Sequence, residues 1–286
     1  MNIRRFTLII FLFLAGCSPI KLGYDYADWF IFSKLDDLFD LNAEQKEFLH
    51  PAVDRLLAWH KSTELPLYAS LLDQTQQNFE NGLTKAELDS IYAKFEERID
   101  STIQQMAPDA SIFLASLKAG QIERFKQNIY KQKNNPPAEI QKENQEESVS
   151  WIEDWVGELD STQKSAISGL REAIPDLSKE RGLNRNQTIN EIITVIETGR
   201  NTKMIELKLI EAFTSSEQNL SSEYSREVGR QQEAIKAMIL AIDKILTPAQ
   251  RSHFLTKIDS LIEDIEDIHA GGSGNKFFKS LRRFVY

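Results

Sequence analysis

Apolar side chains recur every three or four residues along most of the chain, the spacing that places them on one face of an α-helix. Four such stripes stand out: Leu67, Leu71 and Phe79; Leu88, Tyr92, Phe95, Ile99 and Ile103; Ile235, Met238, Ile242 and Ile245; and Leu255, Ile258, Ile262, Ile265 and Ile268. No stretch alternates apolar and polar residues for long enough to predict a strand. The pattern therefore predicts an all-α fold, an elongated multi-helix bundle.

A short phrase marks the helix starts: leucine, followed four residues later by glutamine or glutamate. It occurs at Leu41–Gln45, Leu83–Glu87, Leu117–Gln121, Leu159–Gln163 and Leu246–Gln250. In four copies the residue after leucine is Asn, Thr or Asp, which cap helix N-termini, and the later Gln or Glu completes a capping box. Lys118 takes the cap position in the third copy, which is the weakest. The copies are irregularly spaced, so they predict helix starts and not a solenoid repeat.

Prolines and glycines predict the breaks. Pro51 predicts a kink and Pro108 a division of the pattern that follows Leu83. The run from Asn134 to Pro137 and the polar residues up to Ser150 predict a connector between two helical halves, 17–135 and 146–270. Trp151 would open the second half.

Residues 271–286 are predicted to form a glycine hinge and a basic amphipathic tail. The run Gly271-Gly272-Ser273-Gly274 should end the last helix, and Lys and Arg then interleave with Phe, Leu and Val. Such a tail would suit an anionic membrane surface. A frayed or core-docked terminus is the alternative.

The N-terminus predicts a cleaved lipoprotein signal peptide, residues 1–16. Arg4 and Arg5 precede an apolar run, Phe6 to Leu14, about half as long as a membrane-spanning helix. The following Leu14-Ala15-Gly16-Cys17 resembles the lipobox of bacterial lipoproteins. That resemblance implies cleavage before Cys17, a thioether to diacylglycerol and an acylated amine. An ordinary secretory signal with an incidental cysteine is the alternative.

Two or three acyl chains hold a protein stably on a membrane, whereas one binds only marginally. Residue 18 is Ser and not Asp, which by resemblance to enterobacterial sorting rules favours the outer membrane over the inner one. We therefore expect a protein anchored through Cys17 at the periplasmic side of the outer membrane. Because Cys17 is the sole cysteine, its lipidation would leave none for a disulfide.

Charge argues against nucleic acid as a partner. The chain has 34 basic and 43 acidic residues, a net charge of −9, and loss of the two arginines in 1–16 leaves 32 against 43, or −11. Nucleic-acid binding requires a concentrated positive surface. The scattered acidic residues are interpreted as solvated helix faces.

The segment from Tyr24 to Phe39 is rich in aromatic residues and predicts a short helix close to the anchor. We expect Trp29, Phe30 and their neighbours to pack against the core. Contact of Trp29 with the membrane interface is the alternative.

Candidate chemistry is concentrated at Trp59, His60, Glu64 and Pro66. His60 and Glu64 are four residues apart and would share a helix face, but a metal site needs further ligands that the sequence does not identify. HExxH, GxSxG and P-loop motifs are absent from the sequence. We therefore expect no catalytic residue, metal or cofactor, and a structural brace instead.

If Glu64 is buried, its carboxylate needs a cation or hydrogen-bond donors. Arg124 or Arg181, each on a separate predicted helix, would supply that partner. The alternative is an open site beside His60 and Glu64 that belongs to an envelope enzyme or a metal-binding protein.

Taken together, these features resemble a family of proteobacterial outer-membrane lipoproteins whose domain has no known function. The matching residues are the lipobox through Cys17, Tyr24, Trp29, Leu41 with Gln45, the run Trp59-His60 with Glu64-Leu65-Pro66 and Tyr68, Leu117 with Gln121, and Trp155-Val-Gly157-Glu-Leu159 with Gln163. They span about the first two thirds of the chain. The resemblance implies a fold and a location but no catalytic residues.

Leu246-Thr-Pro-Ala-Gln250 is also similar to the LTxxQ phrases of periplasmic stress chaperones of the CpxP and Spy type. That similarity implies a surface for a client or partner protein. The expected function is accordingly that of a non-enzymatic, membrane-anchored periplasmic lipoprotein, a protein-binding, scaffold or chaperone-like module whose partner the sequence does not identify.

Overall fold

The structure, a computed structural model, describes residues 19–134, 145–214 and 222–271. Within these ranges the chain is helical and contains no strand, so the all-α prediction is confirmed. The helices are α1 (Pro19–Asp25), α2 (Ala27–Phe39), α3 (Ala43–Trp59), α4 (Leu65–Glu80), α5 (Lys85–Ala115), α6 (Ala119–Asn134), α7 (Gln145–Val156), α8 (Ser161–Glu172), α9 (Ser178–Gly199), α10 (Thr202–Phe213), α11 (Ser222–Ile245) and α12 (Pro248–His269). A π-helical turn, His60–Glu64, joins α3 to α4.

The predicted helix starts are confirmed. Complete capping boxes open α3, α5, α8 and α12, with Asn42, Thr84, Asp160 and Thr247 as the capping residues. Pro248 lies in the first turn of α12, where its missing N–H costs no hydrogen bond. The Leu117 copy forms half a box: Lys118 donates its backbone N–H to Gln121 Oε1 at 3.0 Å, while a lysine side chain has no acceptor to offer in return.

The glutamines of these phrases also join helix starts in pairs. Gln45 and Gln121 donate to each other's amide oxygens at 3.1 and 2.8 Å, and Gln163 and Gln250 do the same at 2.8 and 2.9 Å. Each amide also reaches the residue before its partner's leucine; Gln250, for example, donates to the Glu158 carbonyl at 2.7 Å. One phrase thus specifies both a local cap and a contact between distant helices.

We expect Gln250→Leu to lower the free energy of unfolding by about 1–3 kcal/mol, because the Thr247 N–H, the Glu158 carbonyl and the buried Gln163 amide each lose a hydrogen-bond partner. In a double-mutant cycle with Gln163→Leu, the combined loss should be about 1 kcal/mol smaller than the sum, because the second change removes a group that the first left unpaired. The control cycle combines Gln250→Leu with Gln45→Leu, which shares none of its partners and should be additive. Urea unfolding measures both cycles, and an additive Gln163–Gln250 cycle would contradict the coupling.

Within the described ranges, the buried apolar residues form three clusters. The largest cluster lies among α2, α3, α5, α6, α9 and α10 and includes Leu41 and Leu117. A second lies among α7, α8 and α11 around Leu159 and Ile167, and a third lies between α4 and α12. The most extensive helix pairs are α5 with α10 and α4 with α12. Helices of the predicted second half therefore pack directly on helices of the first.

Prolines do not break the helices. Pro108 lies inside α5, a continuous helix of 31 residues, so the predicted division there is wrong. Pro51 likewise lies inside α3, which continues through it. A proline removes one backbone hydrogen bond; Pro108 itself is exposed, while Ala107 and Ser111 on the same stretch of α5 are buried and keep the helix packed at this point.

The aromatic segment forms two short helices, with Tyr26 between them. Phe32, Leu35 and Phe39 pack against the main core as expected. Trp29 and Phe30 do not: they are 55% and 56% exposed, so the prediction that they pack in the core is wrong. The core-facing stripe of α2 begins only at Phe32, and one face of so short a helix cannot bury all of its aromatic side chains.

The element boundaries shift modestly from the prediction. Helix α7 begins at Gln145, six residues before Trp151, and α12 ends at His269, close to the predicted end. Gly271 follows with φ of +90°, a backbone conformation that glycine adopts without strain. The predicted signal peptide 1–16, Cys17, residues 135–144 of the predicted connector and residues 272–286 of the predicted tail lie outside the described residues. No helix in the described ranges has both the length and the apolar character to cross a membrane.

Asp243 and Arg251 connect the α4–α5 turn to the α11–α12 turn, and no pattern in the sequence singles out either residue. Buried Asp243 accepts the Leu83 N–H at 3.0 Å through Oδ2 and the Arg251 guanidinium at 2.7 Å through Oδ1. Arg251 also donates to the Phe79 carbonyl and lies 4.5 Å from the centre of the Phe79 ring. The Asp243 carboxylate therefore links the α4–α5 turn in the N-terminal half of the chain to the α11–α12 turn in the C-terminal half.

Candidate functional site

The candidate cluster occupies the junction between α3 and α4. Trp59 ends α3, and the π-helical turn carries His60 and Glu64. Leu65 donates its N–H to the His60 carbonyl, five residues back, and Pro66 lies in the first turn of α4. Single π-helical turns of this kind often occur at functional sites.

Glu64 is completely buried. Ser101 of α5 donates its hydroxyl to Glu64 Oε1 at 2.8 Å, and Arg98 Nη1 lies 3.7 Å from Oε2. Arg98 is itself largely covered and also pairs with Glu97 at the surface. The buried carboxylate that the sequence predicted is therefore present, and α5 supplies its partners.

The arginines expected to pair with Glu64 are the wrong ones. Arg124 pairs with Asp40 at 3.3 Å on the surface, and Arg181 donates to Gln231. Arg98 and Ser101, three residues apart on one face of α5, meet Glu64 instead. Burial of a glutamate indicates that a cation must be nearby, but which cation it is depends on how α5 lies against the π-helical turn.

His60 faces a different set of neighbours. Its Nδ1 lies 3.4 Å from the Tyr24 hydroxyl, which donates to the Leu57 carbonyl at 3.0 Å. The ring of Tyr68 is 6.1 Å away, centre to centre. Burial lowers the pKa of His60, and the charge of Glu64 opposes that shift. Burial also raises the pKa of Tyr24 to about 12. Tyr24 is therefore a neutral hydroxyl beside an imidazole that is held neutral.

Because the folded pKa of His60 lies below its value of about 6.5 in an unfolded chain, the unfolded state binds more protons as the pH falls. This contribution to stability is complete above about pH 6.5 and is lost as the pH falls through the folded pKa. We expect the free energy of unfolding to fall less between pH 7.5 and pH 5 in His60→Gln than in wild type. Exposed His253, changed to Gln, is the control and should keep the full fall. An unchanged pH dependence in His60→Gln would contradict a neutral, buried His60.

Helices α1 and α12 complete the junction. His269 Nδ1 lies 2.9 Å from the Lys61 carbonyl, which ties the end of α12 to the π-helical turn. Lys21 of α1 pairs with Asp264 and Asp267 of α12 at 3.1 and 2.6 Å. The π-helical turn is thus the place where α1, α4, α5 and α12 meet.

Trp59 and Pro66 lie at the edge of this junction. Trp59 remains partly exposed, with its ring edge-on to His60 at 6.5 Å, so Glu64 and Leu65 are the more deeply buried residues. Pro66 lines an open depression of about 420 Å³ between α4 and α12, together with Ile262 and His269.

The structure does not join His60 and Glu64 in one ligand set. His60 contacts α1 and α4, whereas Glu64 contacts α5. Across residues 19–134, 145–214 and 222–271, no group of three or more His, Cys, Asp or Glu side chains is placed to hold a metal ion. What the arrangement provides is a set of polar ties between helices.

The fold and this junction define an all-α protein whose helix ends are joined by buried polar contacts. Residues 37–225 match the family described as a family of unknown function (DUF6279), and because the match spans more than half of the chain, the protein belongs to that family. Comparison with curated proteins and with solved structures found no match.

The matched region contains Trp59, His60, Glu64 and Pro66 together with Arg98 and Ser101. It ends before α12 and begins after Tyr24. Two of the four helices at the junction, α1 and α12, are therefore contributed by parts of the chain outside the match.

Proposed function

We propose that this protein is a non-enzymatic lipoprotein, anchored through Cys17 to the periplasmic face of the outer membrane of a Gram-negative bacterium. The carrying observation is the lipobox-like Leu14 to Cys17 after a positively charged and then apolar segment. Helix α1 begins at Pro19, two residues after Cys17, and its Lys21 is ion-paired to α12. A lipid on Cys17 would hold the helical body directly at the membrane.

Metabolic labelling with palmitate and membrane fractionation test the anchor. Wild type should incorporate label and fractionate with outer membranes, since two or three acyl chains suffice for stable binding. Cys17→Ser should lose the label and leave the membrane pellet. A Cys17→Ser protein that still pellets quantitatively would refute lipid anchoring as the main attachment.

We further propose that the body binds another protein as a scaffold or chaperone-like module. The phrase Leu246–Gln250, which resembles LTxxQ, forms a complete capping box at the start of α12. Leu67, Phe95 and Ile99, on α4 and α5, are 41%, 48% and 40% exposed, and exposed apolar groups of this kind favour contact with a partner.

Crosslinked pull-down from membranes tests this part of the proposal. It compares wild type, with Cys17 intact, against Phe95→Asp, which places a charge among those apolar side chains. A partner recovered with wild type and lost with Phe95→Asp supports the proposal. Equal recovery with Phe95→Asp would place the partner elsewhere on the surface.

The alternative proposal, an envelope enzyme or metal-binding protein, requires solvent access to His60 and Glu64. Complete burial of Glu64 and its pairing with Arg98 favour the brace instead. Tight stoichiometric zinc binding that disappears in His60→Ala would reverse this preference.

A further inference from the structure

The segment from Ile20 to Phe30 exposes more large apolar side chains than any other stretch of similar length in the described ranges. Of the 14 large hydrophobic residues that are highly exposed there, four lie in these eleven positions: Ile20, Leu22, Trp29 and Phe30. Soluble surfaces normally show such side chains singly. Their concentration therefore calls for an explanation.

These side chains are exposed because the segment is held to the body by its other faces. Lys21 pairs with α12, Tyr24 contacts Leu57 of α3 and His60 of the π-helical turn, and Phe32 packs against the main core. Helix α1 is thus fixed in place while Ile20 and Leu22 stay 43% and 42% exposed, and α2 is fixed while Trp29 and Phe30 stay exposed. The apolar surface belongs to the folded state and is not a frayed end.

We propose that Trp29 and Phe30, with Ile20 and Leu22, insert into the lipid headgroup region of the membrane that carries the protein, an inference that rests on the proposed anchor at Cys17. Trp is typical of the membrane–water interface, because its ring is apolar with one polar N–H. Two extended residues and ten helical ones place Trp29 within about 22 Å of Cys17. A lipid on Cys17 therefore keeps the membrane within reach of this surface.

Local charge also fits a membrane surface. The mature chain carries a net charge of −11, which a membrane containing anionic lipid would repel. The segment from Ile20 to Phe30 contains one Lys, Lys21, and two Asp, Asp25 and Asp28, so it carries only −1 of this charge. Lys34 lies 5.6 Å from the centre of the Phe30 ring, which places a cation beside the apolar side chain at headgroup level.

Quenching of tryptophan fluorescence by brominated lipid tests the contact. The full mature protein, purified from membranes, is reconstituted in phosphatidylethanolamine–phosphatidylglycerol vesicles with brominated acyl chains. The chain has four tryptophans, and we expect Trp29 to account for the emission lost. Trp29→Phe should therefore abolish most of the loss. Trp151→Phe, which removes an exposed tryptophan of α7, should preserve it.

Palmitate labelling of the same preparation separates the anchor from the contact. If the protein carries palmitate, the lipid anchor is supported. An equal loss of tryptophan emission in wild type and Trp29→Phe, or no loss of emission at all, would then refute the contact of Trp29 with the membrane. If the protein carries no palmitate, the proposed lipid anchor is refuted. Quenching of Trp29 fluorescence by the brominated vesicles then tests the membrane contact independently of the anchor. If the wavelength of Trp29 emission shifts with protein concentration but bromolipid does not quench it, the surface binds a second copy of the chain. That result would overturn the proposal.

Discussion

Arg98→Met is expected to lower the free energy of unfolding by about 3–5 kcal/mol, because it leaves the completely buried Glu64 carboxylate without a cation. Methionine retains much of the apolar stem of arginine, so the loss reports mainly on charge. Arg124→Met removes an exposed pair with Asp40 and is the matched control, with an expected effect below about 1 kcal/mol. Urea unfolding of the purified mature protein measures both.

The companion change, Glu64→Gln, separates a brace from an open site. A brace predicts a loss of about 1–3 kcal/mol, because a neutral amide accepts the Ser101 hydrogen bond less strongly and no longer attracts the Arg98 guanidinium 3.7 Å away. The folded fraction should keep its partner binding. An unchanged unfolding free energy together with abolished function would contradict the brace and assign Glu64 to chemistry.

Asp243→Ala should also cost about 3–5 kcal/mol, because it removes one partner of a buried ion pair. The Leu83 N–H would lose its acceptor, and Arg251 would lose its counter-ion, at the place where two helix–helix turns meet. Asp89→Ala is the control: Asp89 pairs with Lys85 and Lys236 but is 40% exposed, so its loss should stay below about 1 kcal/mol.

The unfolding free energies of Asp243→Ala and Asp89→Ala are measured by urea unfolding, as for Arg98→Met. Similar losses for Asp243→Ala and Asp89→Ala would mean that burial of Asp243 adds nothing to stability. A large loss for Asp243→Ala together with an unchanged slope against urea would mean that the change lowers stability without altering the surface exposed on unfolding.

The brace at the π-helical turn and the exposed surface near Trp29 are physically connected. Tyr24 contacts His60 of the π-helical turn and Lys21 pairs with α12, and with α1 attached in this way Ile20 and Leu22 remain exposed. Loss of the brace should therefore also loosen the segment next to the anchor. If the proposed function holds, the junction would fix the orientation of the helical body relative to the membrane.

Helix content and helix starts were predictable from local patterns, because capping and amphipathicity act within a few residues. Asn42 with Gln45 and Thr247 with Gln250 cap their helices as predicted, since each box is closed within four residues of chain. The same local reasoning failed at Pro108, where packing along a 31-residue helix outweighed the loss of one hydrogen bond.

Pairings between helices depended on the tertiary structure, because residues far apart in the chain meet only when helices adopt a particular register. The Leu159–Gln163 phrase predicted that Gln163 completes a capping box. It did not predict the contact of Gln163 with Gln250, 87 residues away. The composition of the cluster predicted a buried Glu64, yet the crossing of α5 selected Arg98 over Arg124 and Arg181. Burial of each side chain is likewise a property of the assembled helices, which is why Trp29 remained at the surface while Phe32 entered the core.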